Sequence, residues 1–197
     1  KKYYVMQRQD RISNIIKTRN ITQLVHFTKK QNINSIIKNG LLSIEELKKR
    51  NLEYIYNDPE RRDDWNYAIS LSITNKNLFL FESFKRRQKL NDSDFVEIKI
   101  DPSVIVDNEC IFCDTNAASH TFDIYRQNEE ELAILKTWIA FDAMFKKTVK
   151  RHTLNDTGKI KRFNQKLNET TCSQAEICLI GDIQPEMFIN LEELKQL

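Results

Sequence analysis

The spacing of apolar residues along the chain predicts short helices and strands in irregular order. Ile33, Ile36 and Ile37 follow a helical period within residues 30–39, and Gly40 ends that helix. Alternation of apolar and polar residues predicts strands over residues 68–73 and 95–100. The same patterns predict a helix at 10–17, a strand at 23–27, a helix opened by the capping box at 43–46, and strands at 110–112 and 176–180.

Two longer segments complete the prediction of the fold. Residues 129–149 are predicted to form the longest helix, and residues 151–175 are polar and predict a long loop. The helix has one apolar face, formed by Leu132, Leu135, Trp138, Ile139 and Phe145. Since helices and strands do not alternate as βαβ units, the fold class is α+β. We expect a single domain over residues 1–197, with residues 1–20 as an N-terminal extension containing the first helix.

The composition supports one folded domain with a substantial core. Of the 197 residues, 40% are hydrophobic, including 11 Phe and 6 Tyr, which excludes a globally disordered chain. Only three Gly and three Pro exclude collagen-like and linker-type sequences. No apolar run approaches the roughly 20 residues that span a bilayer, and residues 1–6 lack the apolar stretch of a signal peptide. We therefore expect a soluble, cytoplasmic protein with no membrane partner.

The net charge of +3 is too small to indicate a nucleic-acid partner by itself, but the basic residues are clustered. The clusters lie at residues 85–89, 146–151 and 159–166. Lysine and arginine in such groups can neutralise phosphates, although each cluster alone is also typical of a solvated helix face. Their position around the polar segment 151–175 favours nucleic-acid binding.

Cys110 and Cys113 have the C-x-x-C spacing of a zinc site or a redox pair. The other two cysteines, Cys172 and Cys178, do not have the spacing of a second zinc-binding pair. The two residues inside the C-x-x-C are apolar, which favours structural positions in a strand. We therefore expect no metal.

Phosphate-binding backbone loops are excluded by the scarcity of glycine. The sequence has no Walker loop, no G-x-G-x-x-G, no G-x-S-x-G and no H-E-x-x-H motif. With three Gly in the whole chain, a nucleotide must be held by side chains and helix N-termini instead.

Four segments stand out in order along the chain, at residues 24–43, 58–73, 113–119 and 173–185. Their motifs are His-Phe-Thr, Gly-Leu-Leu-Ser, Asp-Pro-Glu-Arg-Arg-Asp, Ser-Leu-Ser-Ile, Thr-Asn-Ala-Ala and Gln-Ala-Glu. Taken together, these segments resemble the DarT family of DNA ADP-ribosyltransferase toxins, and the resemblance extends over residues 23–189. The resemblance implies an ADP-ribosyltransferase-like fold with small antiparallel or mixed sheets and flanking helices, and NAD as co-substrate without a metal.

The resemblance also implies roles for individual residues. Glu176 matches the catalytic glutamate, and the loop before it would recognise the substrate. Arg61 matches the arginine that contacts the NAD phosphate and is needed for activity, although Arg62 could be the counterpart instead. The positions that match the NAD pocket are His26, Phe27, Thr28, Ser35, Leu42 and Ser43.

These roles agree with the chemistry of ADP-ribose transfer. Cleavage of the bond between nicotinamide and ribose develops positive charge at C1′, and a carboxylate on the ribose 2′-hydroxyl stabilises that charge. The same carboxylate can accept the proton of the incoming base nitrogen. An arginine on the pyrophosphate positions NAD and neutralises its charge.

The resemblance implies a base of single-stranded DNA as the acceptor. A single-stranded target also agrees with the chemistry, because base amines are paired and inaccessible inside a duplex. The Arg-x-Asp element at 61–63, the Ser-Leu-Ser-Ile strand and the Thr-Asn-Ala-Ala segment look more like the guanine-modifying branch than the thymine-modifying one. Phe163 could stack on a base, or it could pack the loop onto the body. The residues that we predict to bind DNA are Lys159, Lys161, Arg162, Phe163 and Asn116.

Three alternatives remain open. An ADP-ribosyltransferase that modifies protein or RNA would keep the same NAD pocket, and an RNA 2′-phosphotransferase also has an early His and a helix ending in Gly-Leu. A catalytically inactive nucleic-acid-binding module is the third, and the intact Glu176 counts against it.

The toxin interpretation implies an antitoxin partner that removes ADP-ribose from DNA, with a macrodomain or a related hydrolase fold.

Overall fold

The computed structural model describes residues 7–55, 64–153 and 156–197. Its helices are α1 (Arg8–Thr18), α2 (Ile33–Asn39), α3 (Ile44–Lys49), α4 (Leu78–Gln88), α5 (Val104–Asp107), α6 (Asp123–Gln127), α7 (Glu129–Leu135), α8 (Trp138–Ala143) and α9 (Leu191–Leu194). Its strands are β1 (Leu24–Lys29), β2 (Ala68–Ile73), β3 (Phe95–Ile100), β4 (Glu109–Cys113), β5 (Thr148–Thr153), β6 (Asp156–Lys161) and β7 (Glu176–Ile180).

Five strands form one antiparallel sheet in the order β3-β1-β2-β7-β4, and β5 pairs with β6 as a separate hairpin. The prediction of an α+β protein with antiparallel sheets and flanking helices is confirmed. The strands predicted at 68–73, 95–100 and 176–180 have the predicted bounds, and the one predicted at 23–27 forms at Leu24–Lys29.

The centre of the sheet opens between β1 and β2. These strands pair only at Leu24 with Ile73 and at Val25 with Ser72. By contrast, β1 pairs with β3 over all six of its residues, and β2 pairs with β7 from Ala68 onwards. Because β1 and β2 part after two residues, side chains from both strands line a cleft between them.

The sheet separates two apolar clusters. Alternation along β4 places Cys110 and Phe112 in the larger cluster, and Ile111 and Cys113 in the smaller one. Helices α1 and α8 contribute to the larger cluster, where Phe112 packs on Phe141 with ring centroids 4.9 Å apart. The cluster therefore fixes β4, which pairs with β7, the strand that carries Glu176.

The C-x-x-C motif lies inside β4, where a separation of three residues points the two thiols to opposite faces of the sheet. Both cysteines are fully buried. Burial raises the pKa of the Cys110 thiol to about 12 and holds the pKa of Cys113 well above its usual range. The two thiols are therefore protonated core side chains at neutral pH. Across the described ranges, no group of three or more His, Cys, Asp and Glu side chains could hold a metal ion.

The prediction of a single helix over residues 129–149 was wrong. Helix α7 ends at Leu135, and the Thr137 hydroxyl accepts the Ala140 N–H at 3.3 Å to cap a new helix, α8. Residues 148 and 149 already belong to β5. Ile139, predicted to belong to the core, is 56% exposed.

The loop predicted over residues 151–175 was wrong in its first part. Residues 148–161 contain the β5–β6 hairpin, and only the segment from 162 to 175 lacks regular structure where described. Helix α4 was not predicted at all, since Leu78–Gln88 combines a short apolar run with a basic end. Within the described ranges, no helix is both long and apolar enough to cross a membrane.

Candidate active site

The cleft between β1 and β2 brings together residues that are distant in sequence. Its walls come from β1, from α2, from residues 40–43 and the first turn of α3, from β2, from the first turns of α4 and from the loop after β4. The described residues predicted to bind NAD or to catalyse transfer all line it. They are His26, Phe27, Thr28, Ser35, Leu42, Ser43 and Glu176.

Glu176 begins β7 at the inner end of the cleft and is 8% exposed. Its Oε2 accepts the backbone N–H of Ala117 at 2.7 Å. Ala117 lies in the loop that follows β4, and Cys113 at the end of β4 is paired with Glu176 across the ladder. The loop after β4 therefore fixes the direction of the carboxylate.

Asn116 also lines this part of the cleft, although it was predicted to bind DNA together with the loop around Phe163. Its Oδ1 accepts the N–H of Ala118 at 2.8 Å, and its carbonyl accepts the N–H of Ser119 at 2.9 Å. These bonds make a tight turn beside Glu176. The structure thus groups Asn116 with the Glu176 carboxylate.

His26 spans the opening between the two parting strands. Its Nδ1 lies 2.9 Å from the carbonyl oxygen of Ser70 in β2. A carbonyl oxygen only accepts hydrogen bonds, so Nδ1 carries a proton and donates it. This bond orients the imidazole ring, which lines the cleft together with Glu176.

Thr28 and Asn32 join β1 to the opposite rim of the cleft. The Asn32 amide donates to the Thr28 hydroxyl at 3.0 Å and to the Ile55 carbonyl at 2.9 Å, and its Oδ1 accepts the Ile55 N–H at 2.9 Å. Asn32 was not predicted from sequence, because it resembles any polar residue at the start of a helix. The predicted Arg61 and its alternative Arg62 lie outside the described residues.

The predicted serines have local structural contacts as well as a place in the cleft. The Ser43 hydroxyl accepts the Glu46 N–H at 3.2 Å and caps α3, which is the serine half of the predicted capping box, whereas the Glu46 carboxylate accepts from Arg50. Ser35 accepts hydrogen bonds from the amide of Asn39 through its carbonyl and its hydroxyl. Both residues therefore shape the wall formed by α2 and α3.

A family model described as "DarT: ssDNA thymidine ADP-ribosyltransferase" matches residues 25–191, which include every described wall of the cleft. The chain belongs to the DarT family. It is therefore an ADP-ribosyltransferase by family, and enzymes of this class use NAD as co-substrate. No curated protein matched the chain.

One cleft residue of this DarT-family chain has an unused hydrogen-bond donor. The side chain of Asn77 is 1% exposed, and its Oδ1 accepts the Leu80 N–H at 3.1 Å to cap α4. Its Nδ2 is buried and has no hydrogen-bond partner among the residues described here. Buried donors in proteins are almost always paired. Asn77 was not predicted from sequence, because the helix that it caps was not predicted.

The other residues predicted to bind DNA do not line the cleft. Lys159 and Lys161 are exposed on β6, and Phe163 just after it is 87% exposed. The Arg162 guanidinium donates to the carbonyl oxygens of Glu169, at 2.6 Å, and Lys166. Arg162 therefore stabilises the turn next to Phe163. Phe163 is exposed and does not pack onto the body of the DarT-family domain.

Proposed function

We propose that this chain transfers ADP-ribose from NAD to a base of single-stranded DNA and releases nicotinamide. The observation that carries the proposal is the convergence of His26 and Glu176 in one cleft. Glu176 has the buried position and the fixed carboxylate that electrostatic stabilisation of a developing cation requires. The family match supports the reaction class.

In the proposed reaction, the bond between C1′ of the ribose and the nicotinamide nitrogen breaks, and its electron pair leaves with nicotinamide. Glu176 accepts a hydrogen bond from the ribose 2′-hydroxyl and stabilises the positive charge at C1′. A nitrogen of the DNA base forms the new bond to C1′, and Glu176 accepts the proton that this nitrogen loses. His26 orients the ribose, and no step needs a metal.

The described part of the cleft lacks a cation for the pyrophosphate of NAD. None of its described lining residues is Lys or Arg. Glu53 and Ile55 lie on its rim. Arg61 follows Ile55 along the same stretch of chain, which supports its proposed role as the phosphate ligand. Asn77 supplies a buried amide donor to the same cleft.

The proposed acceptor base is guanine, with thymine as the alternative. The Arg-x-Asp element at 61–63 and the Thr-Asn-Ala-Ala segment support guanine, whereas the description of the matching family names thymidine. We further propose that the chain is a toxin, countered by an antitoxin that removes ADP-ribose from DNA.

A transfer assay with labelled NAD tests the proposed function. Four single-stranded oligonucleotides, each lacking one base, are incubated with the protein, and the Glu176→Ala variant controls for contaminating activity. We expect label on every oligonucleotide except the one without guanine. Loss of label only without thymine would correct the base, and no label on any oligonucleotide would overturn the DNA acceptor in favour of RNA or protein.

Replacement of Phe163 by Ala is expected to weaken binding of the oligonucleotide. Stacking of a base on an aromatic side chain contributes about 1–3 kcal/mol, which corresponds to roughly a 5- to 150-fold rise in the KM for DNA. The KM for NAD should not change, because Phe163 does not line the cleft. Initial rates at varied oligonucleotide concentration measure the effect.

Ile139→Ala is the matched control, since Ile139 is also an exposed apolar residue but lies on α8. An unchanged KM for DNA in Phe163→Ala, or an equal change in Ile139→Ala, would remove Phe163 from the DNA-binding surface.

A further inference from the structure

Arg126 on α6 holds the loop that orients Glu176. Its side chain is 10% exposed. Nη1 donates to the carbonyl oxygen of Ala117 at 2.6 Å, and Nη2 donates to the carbonyl oxygen of Ser119 at 3.1 Å. Nη2 also contacts the carboxylate of Asp123, one turn earlier on the same helix. The guanidinium thus has partners on two sides, and both carbonyl groups belong to the loop after β4.

Ala117 connects this guanidinium to the carboxylate. The N–H of Ala117 donates to Glu176 at 2.7 Å, while the C=O of the same residue accepts from Arg126. Ala117 is fully buried, so water does not replace either bond. We propose that Arg126 is a positioning residue for Glu176. The proposal rests on the catalytic role that the proposed function gives to Glu176.

Arg126 positions the Glu176 carboxylate through hydrogen-bond geometry rather than through its charge. Asp123 pairs with Arg126 and compensates its positive charge close to the loop. The planar fork of the guanidinium fixes two carbonyl groups at once, and therefore fixes the backbone direction of the Ala117 N–H. A catalytic group displaced by about 1 Å can lose about 100-fold in rate. A lysine ammonium has no such fork, so it cannot restore the arrangement fully.

Arg126→Ala and Arg126→Lys test the proposal against Arg8→Ala. Arg8 is a matched control because its guanidinium also donates to two carbonyl oxygens, of Lys136 at 3.0 Å and of Asn108 at 3.4 Å, and it does not line the cleft. We expect kcat to fall about 10- to 100-fold in Arg126→Ala, with the KM for NAD within about twofold of wild type. Arg126→Lys should recover part of the loss, and Arg8→Ala should keep its kcat.

A double-mutant cycle separates positioning from general loosening of the fold. Glu176→Asp withdraws the carboxylate by about 1.5 Å, one carbon–carbon bond, and so removes the bond to Ala117. In that background, Arg126→Ala should have little further effect on kcat. Multiplicative losses, or a kcat in Arg126→Ala equal to that of Arg8→Ala, would overturn the proposal. If Arg126→Ala fails to fold, the same comparison is made with Arg126→Lys.

The failure of this proposal is distinguishable from failure of the proposed function. A Glu176→Gln variant with wild-type kcat would remove the carboxylate from catalysis and overturn both proposals. A strongly impaired Glu176→Asp variant beside an unimpaired Arg126→Ala variant would overturn only the positioning role.

Discussion

Glu176→Gln is expected to lower the rate of ADP-ribose transfer by about 10³-fold, in the range measured when electrostatic stabilisation is removed from a transition state. Glutamine has nearly the same shape, and its amide oxygen can still accept the Ala117 N–H. It has no negative charge, however, so it neither stabilises positive charge at C1′ nor accepts the proton of the base. Initial rates with labelled NAD and saturating oligonucleotide measure the loss.

Glu109→Gln is the control for this prediction. Glu109 lies at the far end of the same β4–β7 ladder, paired with Ile180, and forms an ion pair with Lys136 at 2.5 Å. Its replacement should leave the rate within about twofold, since an exposed ion pair contributes at most about 1 kcal/mol to stability. A Glu176→Gln variant as active as Glu109→Gln would exclude Glu176 from catalysis.

The sheet could be predicted well because each strand carries its own signal. Residues 68–73 and 95–100 alternate in sequence, and this alternation places every second residue of each strand against the larger apolar cluster. The helix predicted at 129–149 failed because apolar periodicity continues across the junction between α7 and α8. The signal for that junction is the cap formed by Thr137, and a threonine within a helical pattern does not reveal whether it caps.

The candidate site was predictable only through resemblance to a family. His26 and Glu176 lie far apart in sequence, and they meet because β1 and β2 part after two paired residues. No local pattern encodes that separation. Asn32 and Arg126 were missed for a related reason, since each bonds to a segment elsewhere in the chain. Asn77 was missed because the helix that it caps, α4, was not predicted.

The cleft wall formed by residues 40–43 depends on a close backbone approach, and Gly40→Ala should therefore destabilise the protein strongly. Gly40 has φ +84°, and a Cβ there would lie 2.8 Å from the carbonyl oxygen of Ile183. Backbone strain costs about 1–3 kcal/mol, and the clash adds about 1–3 kcal/mol. We expect the free energy of unfolding, measured by urea denaturation, to fall by about 2–6 kcal/mol, the sum of the two contributions.

Gly181→Ala separates the two causes. Gly181 also has positive φ, at +124°, but the nearest atom to its Cβ would be Oδ1 of Asn108 at 3.6 Å, an ordinary contact. Gly181→Ala should therefore lower the free energy of unfolding by the strain contribution only, and equal losses in both variants would exclude the clash at Gly40.

The clash matters for function because Leu41 pairs with Ile183 through two backbone bonds, of 2.8 and 3.0 Å, beside the cleft. A shift of this pairing moves Leu42 and Ser43, so Gly40→Ala should also raise the KM for NAD, whereas Gly181→Ala should not.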